Sequence, residues 1–197
     1  MAVLLLVLPA AIPPGLPFAP WHASHGVKVE IARLPPGPPW VRGTAEIPAS
    51  AERVFAAVTD YRHYREIFAP AIKTADLLDS GEGSARFHFV WPYPFPLRNR
   101  DAIVAYSGAR LEGGAFVLSW KDDARPGDPK ESVRIERVAG ETRIEPLGAE
   151  RCRVTYTYFG DLGGSFPAWA QEKAWKEEPV QYIRAIRRRL RLAEPGD

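Results

Sequence analysis

Between Ile72 and Tyr158 the apolar side chains fall on alternate positions in a series of short runs, the period that places them on one side of an extended strand. Phe87, Phe89 and Trp91 alternate with Arg86, His88 and Val90. Phe116, Leu118 and Trp120 share a side, as do Val154, Tyr156 and Tyr158, and Val133, Ile135 and Ile144 continue the series. Turn signals at Asp79–Gly83 and Glu112–Gly114 separate the runs. About seven strands with no helical period among them predict an antiparallel meander rather than an alternating α/β sheet. Ahead of the series, Trp40–Ile47 reads as the first strand. Pro48, Ala49 and Ser50 mark a helix start, with Ser50 at the N-cap and Arg53 where a capping box would place an acid. Val54, Phe55, Val58 and Tyr61 form one helical stripe. Asp60 is expected to cap a second short helix carrying Tyr61, Tyr64 and Ile67, which Pro70 ends.

After Tyr158 the period lengthens. Asp161, Leu162, Gly163 and Gly164 break the last strand, and a helix is predicted from about Ser165 to Leu192. Its ~27 residues would span roughly 40 Å, enough to cross a whole sheet. Val180, Ile183, Ile186 and Leu190 make its inward stripe, with Trp169 and Trp175 nearer the start. Pro179 has no amide proton for the hydrogen-bond ladder, so the helix is expected to bend or break there.

The run Pro92–Tyr106 joins two strands through three prolines, Pro92, Pro94 and Pro96, which exclude a central strand or helix. The strand after it opens on Arg100 and Asp101. Alternation puts Arg100, Ala102, Val104 and Tyr106 on one face, apolar except for the leading guanidinium. Such a charge either reaches the rim, where it would pair with Asp101 or a neighbouring strand, or is paired inside a cavity.

The chain's 197 residues suit one domain with room for a core and a cavity. A net charge of +2 is too small to imply a nucleic-acid partner. Arg184, Arg187, Arg188, Arg189 and Arg191 form a basic end to the last helix, which complements its dipole and could also touch phosphate head groups or RNA. Cys152 is the single cysteine and alternates with Val154 and Tyr156, so it reads as a core residue. Residues 1–39 read as a leader and proline-rich linker, with a short strand around Val27–Leu34. Met1–Ile12 resembles the apolar centre of a signal peptide without its usual basic start. Export to the periplasm or outside the cell is expected if the segment is a signal peptide, and a cytoplasmic or membrane-anchored location otherwise.

An aromatic strand, a proline-rich connection, a strand opening on Arg100 and Asp101, and then Asp161, Gly163, Gly164, Pro167 and Trp169 before a long helix together resemble the START lipid-transfer domains. The resemblance covers about Trp40–Leu192 and implies a domain over 40–193. It implies the α+β helix-grip fold: a curved antiparallel sheet of about seven strands around a long C-terminal helix, with two short helices after the first strand. START domains bind a sterol, phospholipid or other apolar molecule between sheet and helix. Carried onto this chain, Arg100 would be the charged group at the polar end of the cavity, with Tyr106 farther along the same face. Asp161 and the Gly163–Gly164 pair would set the approach of the helix, and Trp169 would pack near its first turns.

The implied ligand-binding set is Phe87, Phe89, Trp91, Arg100, Val104, Tyr106, Phe116 and Leu118 from the earlier strands. Trp120, Ile135, Ile144 and Tyr156 follow, and Trp169, Val180 and Ile183 come from the helix. Alternation alone is equally consistent with these side chains filling a solid core. The expected partner is a lipid or other hydrophobic small molecule, with transient contact with a membrane surface, in a monomer without a cofactor. Catalysis is not expected. His22, His25, His63 and His88 are scattered without metal-ligand spacing, and no nucleophile elbow or phosphate loop occurs. His63 reads as a surface helix residue, and His88 points away from the Phe87–Phe89 face. The rival reading is a polyketide cyclase or aromatase of the same superfamily, in which Arg100 with Tyr106 or Tyr156 assists proton transfer.

Overall fold

The computed structural model describes residues 12–163 and 166–195. The leucine-rich part of the leader up to residue 11, Gly164 and Ser165 lie outside the described residues. β1 (Ala19–Ser24), β2 (Val27–Ala32) and β3 (Trp40–Ile47) lead to α1 (Ala51–Val58), a 3-10 turn at Tyr61–His63 and the short α2 (Tyr64–Ile67). Then follow β4 (Thr74–Gly81), β5 (Ser84–Trp91), β6 (Arg100–Arg110), β7 (Phe116–Asp122), β8 (Val133–Arg134), β9 (Val138–Gly148) and β10 (Arg151–Gly160). The last element is α3 (Ala168–Leu190). One sheet runs in the order β1-β2-β3-β10-β9-β7-β6-β5-β4, antiparallel throughout. β8 pairs in parallel with the head of β6 at Arg100 and Asp101, where β7 no longer reaches. No helix among the described residues is long and apolar enough to cross a membrane.

The expected antiparallel sheet, long terminal helix and short early helices are all present, and the sheet is larger than its periodicity indicates. Trp40 does not begin it: β2 is the short strand expected around Val27–Leu34, and with β1, from the segment read as linker, it is paired ahead of β3 and brings the sheet to ten strands. A two-residue turn joins them, with His25 at φ 49° and Gly26 at φ 67°, the positive pair that matches a tight hairpin to the strand twist. Alternation then buries Val27, Val29 and Ile31. The N-terminal helix follows expectation, with the Ser50 hydroxyl accepting from the Arg53 amide at 3.3 Å. Asp60 does not cap: its carboxylate is taken by His63, at 2.8 Å, and by Arg189. Cys152 is fully buried, and burial pushes its thiol up to about 11.

α3 is shorter than predicted, 23 residues, and runs without interruption through Pro179. The ring removes the amide that would bond the Trp175 carbonyl four residues back, but the Tyr158 hydroxyl donates to that carbonyl at 3.2 Å. The ring itself fits because β3 carries glycine opposite: a Cβ on Gly43 would stand 2.4 Å from Pro179 Cβ. The basic end of α3 is used internally as well as complementing the dipole. Arg187 is buried and donates to the His25 carbonyl at 2.6 Å, while Arg188 bonds the Ala69 carbonyl and Arg189 pairs with Asp60.

Candidate ligand cavity

The side chains that alternation directs inward from β5, β6, β7 and β10 meet α2 and α3 around a hollow of about 120 Å³. Phe89 and Trp91 come from β5, Val104 and Tyr106 from β6, Trp120 from β7 and Tyr156 with Tyr158 from β10. α3 contributes Ala174, Trp175, Glu178 and Tyr182, and Tyr64 and Phe68 close one side. The aromatic wall is continuous: Trp120 stacks on Tyr156 at 5.1 Å, Tyr156 on Tyr182 at 4.1 Å and Tyr182 on Phe68 at 5.3 Å. A second hollow of about 230 Å³ shares the side chains of Phe68, Ile72, Trp91, Glu178 and Tyr182, and continues past Gln181 to Arg184 and Arg188.

Polar atoms in this wall are few. The Tyr156 hydroxyl donates to Glu178 Oε1 at 3.1 Å, and the Tyr182 and Thr142 hydroxyls lie 2.8 Å apart. Burial raises the Glu178 carboxyl above the ordinary glutamate value, and the bond from Tyr156 offsets only part of that shift. By area Glu178 is only partly buried, and it borders both hollows. Burial, with neighbouring tyrosines adding to it, drives the Tyr64, Tyr106 and Tyr156 phenols well above their ordinary value, so they stay neutral donors. Trp175 leaves its buried indole N–H without a protein partner.

Of the residues expected in the site, Phe89, Trp91, Val104, Tyr106, Trp120, Ile135 and Tyr156 line the cavity. Phe87 is one layer behind, stacked on Tyr64 at 4.9 Å. Phe116, Leu118 and Ile144 are buried at the other end of the sheet, under α1, where Phe55 stacks on Phe116 at 4.6 Å. Val180 and Ile183 are buried in the core and do not border the cavity; α3 packs its apolar stripe toward β2, β3 and α1. Trp169 points outward and is 69% exposed.

Arg100 differs most from expectation. It is buried, but neither rim-paired with Asp101 nor part of the cavity wall. Its guanidinium donates to the carbonyls of Leu162, Gly163 (3.2 Å), Arg98 (2.6 Å) and Asn99, and lies 4.7 Å from the Phe166 ring centre. It therefore fixes the loop that delivers the chain to α3. Asp161 supports the same loop, accepting from the Gly163 amide at 3.1 Å and pairing with Arg137. Lining residues outside the expected set include Tyr64, Phe68, Tyr158 and Trp175, and on α3 Glu178 and Tyr182, whose i,i+4 spacing with Ala174 is the signal for a second face of the helix. His88 does point away from the cavity, yet it is fully buried, because the segment after β7 folds over the outer face of β5 and β6.

Residues 39–191 match the model of a family described as polyketide cyclase / dehydrase and lipid transport. The chain belongs to that family. Rho GTPase-activating protein 7 of Rattus norvegicus is 26% identical over 153 residues, which are 76% of this chain and only 14% of that protein. Among solved structures of the family's fold, a STAR-related lipid transfer protein fragment from Xanthomonas axonopodis superposes with a TM-score of 0.75 at 24% identity, covering 88% of this chain and 98% of the fragment. The Zhui aromatase/cyclase of Streptomyces sp. R1128 superposes with a TM-score of 0.54 at 19% identity, covering 75% and 90%. The sheet wrapped on a long terminal helix is the START helix-grip fold.

Proposed function

We propose that this protein is a carrier: it encloses a lipid or similar apolar molecule between the sheet and α3 and performs no covalent step on it. The observation that carries this reading is the aromatic cavity beneath α3, whose wall, among the described residues, holds one carboxyl and no histidine, cysteine or lysine. Removing apolar surface from water yields roughly 25 cal/mol per Å², so a few hundred Å² of guest surface offsets the ordering costs of binding without any charge pairing. The Trp175 indole and the Glu178–Tyr156 pair give such a guest one polar end to hold. Phe95, 96% exposed, and Trp169 offer apolar contacts for a membrane surface during exchange. The likeness to a STAR-related lipid transfer protein supports the same reading.

One observation favours a second reading. Glu178 with its raised carboxyl beside Tyr156 resembles a proton donor poised for cyclase chemistry, the activity named for the Streptomyces neighbour. Titration with a fluorescent fatty acid separates the two readings when wild type is compared with Ala174→Trp, which fills the hollow, and with Glu178→Gln. A carrier binds the probe in wild type and in Glu178→Gln and loses binding in Ala174→Trp. A wild type that binds no probe contradicts carriage, whereas turnover of a poly-β-keto substrate that Glu178→Gln abolishes supports the cyclase.

A further inference from the structure

On the side of the sheet opposite the cavity, His88 has the environment of a metal ligand. The ring is fully buried. Its Nε2 lies 3.1 Å from Asp101 Oδ2, and Asp101 is held as a carboxylate by Arg134, whose Nε and Nη2 each donate over 3.0 Å. A carboxylate only accepts, so Nε2 carries a ring proton toward Asp101, and Nδ1 lies on the other side of the ring. That Nδ1 has no hydrogen-bond partner. A buried nitrogen left in this state is costly unless something arrives to use it.

Two carboxylates stand within reach of the ring. Asp76 is the register partner of His88 across β4 and β5, with Oδ2 4.0 Å from Nδ1. Glu131 precedes β8, and one ligand atom from each of Asp76, His88 and Glu131 lies within 4.8 Å of the others. Glu131 is placed by the same aspartate, since its amide donates to Asp101 Oδ2 at 2.9 Å. In a tetrahedral site with bonds of about 2.0–2.2 Å, ligand atoms stand roughly 3.4 Å apart. Asp76 and Glu131 are exposed and need only turn their carboxylates slightly to reach that spacing. Arg134 pairs with Asp101, which leaves the carboxylates of Asp76 and Glu131 as the charge a dication would neutralise. A histidine that donates its far N–H to a buried carboxylate is the usual support for a metal-ligating ring.

We infer that Asp76, His88 through Nδ1, and Glu131 bind a divalent cation of the zinc class, with Asp101 as the residue that orients His88. One imidazole and two carboxylates suit zinc or a neighbouring transition ion better than magnesium or calcium. Such an ion ties β4 and β5 to the loop before β8, and it lies on the face away from the cavity, so the inference stands independently of the carrier reading.

The test is calorimetric titration of the chelator-treated full chain with zinc chloride, alongside the visible absorption of added cobalt(II). Replacing buried His88 risks misfolding, so the variant is Asp76→Asn with Glu131→Gln, both at exposed side chains. Wild type should bind one ion per chain, give a low-symmetry cobalt spectrum and melt at a higher temperature with zinc, whereas the double variant should bind at least about tenfold more weakly and lose the spectrum. Absence of saturable binding, or equal binding by the double variant, would overturn the inference.

Discussion

Glu178 is the residue through which the cavity should sense pH. Its carboxyl is raised in the folded chain by burial, so the protonated form is the one folding favours. The stabilisation is complete below the ordinary value of 4.5 and is lost as pH rises through the higher folded value. Asp60, Asp101, Asp128 and Asp161 are lowered from 3.8 and act in the opposite sense, at more acid pH. Urea unfolding from pH 4 to 8 should show wild-type stability declining relative to Glu178→Gln above 4.5; parallel curves would mean that the carboxyl is solvated. At Arg100 the outcome concerns the loop before α3. Arg100→Leu strands the Leu162 and Gly163 carbonyls and should cost about 3 kcal/mol in urea unfolding. A loss under about 0.5 kcal/mol would be that of an ordinary surface site. The sequence signals that Arg100 faces inward at a strand head, but not what it meets, because its acceptors are backbone carbonyls, two of them more than sixty residues away, that no side-chain pattern records.

At the scale of elements, α3 and the strands beneath it explain which parts were legible. A period of two identifies the inward face of each strand, and seven of the inward residues do border the cavity. It does not say which end of the sheet is covered by α1, and there Phe116, Leu118 and Ile144 form solid core. The same limit applies to the helix. Its most apolar stripe packs toward β2 and β3, and although a short strand is expected at β2, nothing in the sequence pairs it with the sheet; the face left for the cavity is the aromatic and acidic one. Pro179 is expected to bend or break α3, yet the helix continues through it, and a hydroxyl from β10 supplies the missing donor. In a double-mutant cycle, Tyr158→Phe should cost about 1 kcal/mol beside Pro179 and less beside Pro179→Ala, which restores an amide to the Trp175 carbonyl. Equal costs in the two backgrounds would separate the Tyr158 bond from the proline. Gly43→Ala should destabilise by about 1–3 kcal/mol, since the new methyl would meet the Pro179 ring.

For the whole molecule the governing quantity is space. A cavity of about 120 Å³ is smaller than the engineered ~150 Å³ hollow that admits benzene, so a lipid cannot enter the closed form. The neighbouring hollow of about 230 Å³ lies across Tyr182 and Glu178, and the two joined reach the lower end of the ~300–1,000 Å³ typical of small-molecule sites. Uptake thus requires α3 or the Tyr182 side chain to move. Tyr182→Ala should speed association of a fluorescent fatty acid in stopped-flow mixing, while an unchanged rate would place the entrance elsewhere. The most direct test of the carrier account is native mass spectrometry of protein purified without detergent, followed by solvent extraction of whatever it holds. The account predicts an added mass of an apolar molecule at one per chain, lost in Ala174→Trp. A bare polypeptide mass that stays bare after incubation with lipid vesicles would contradict it.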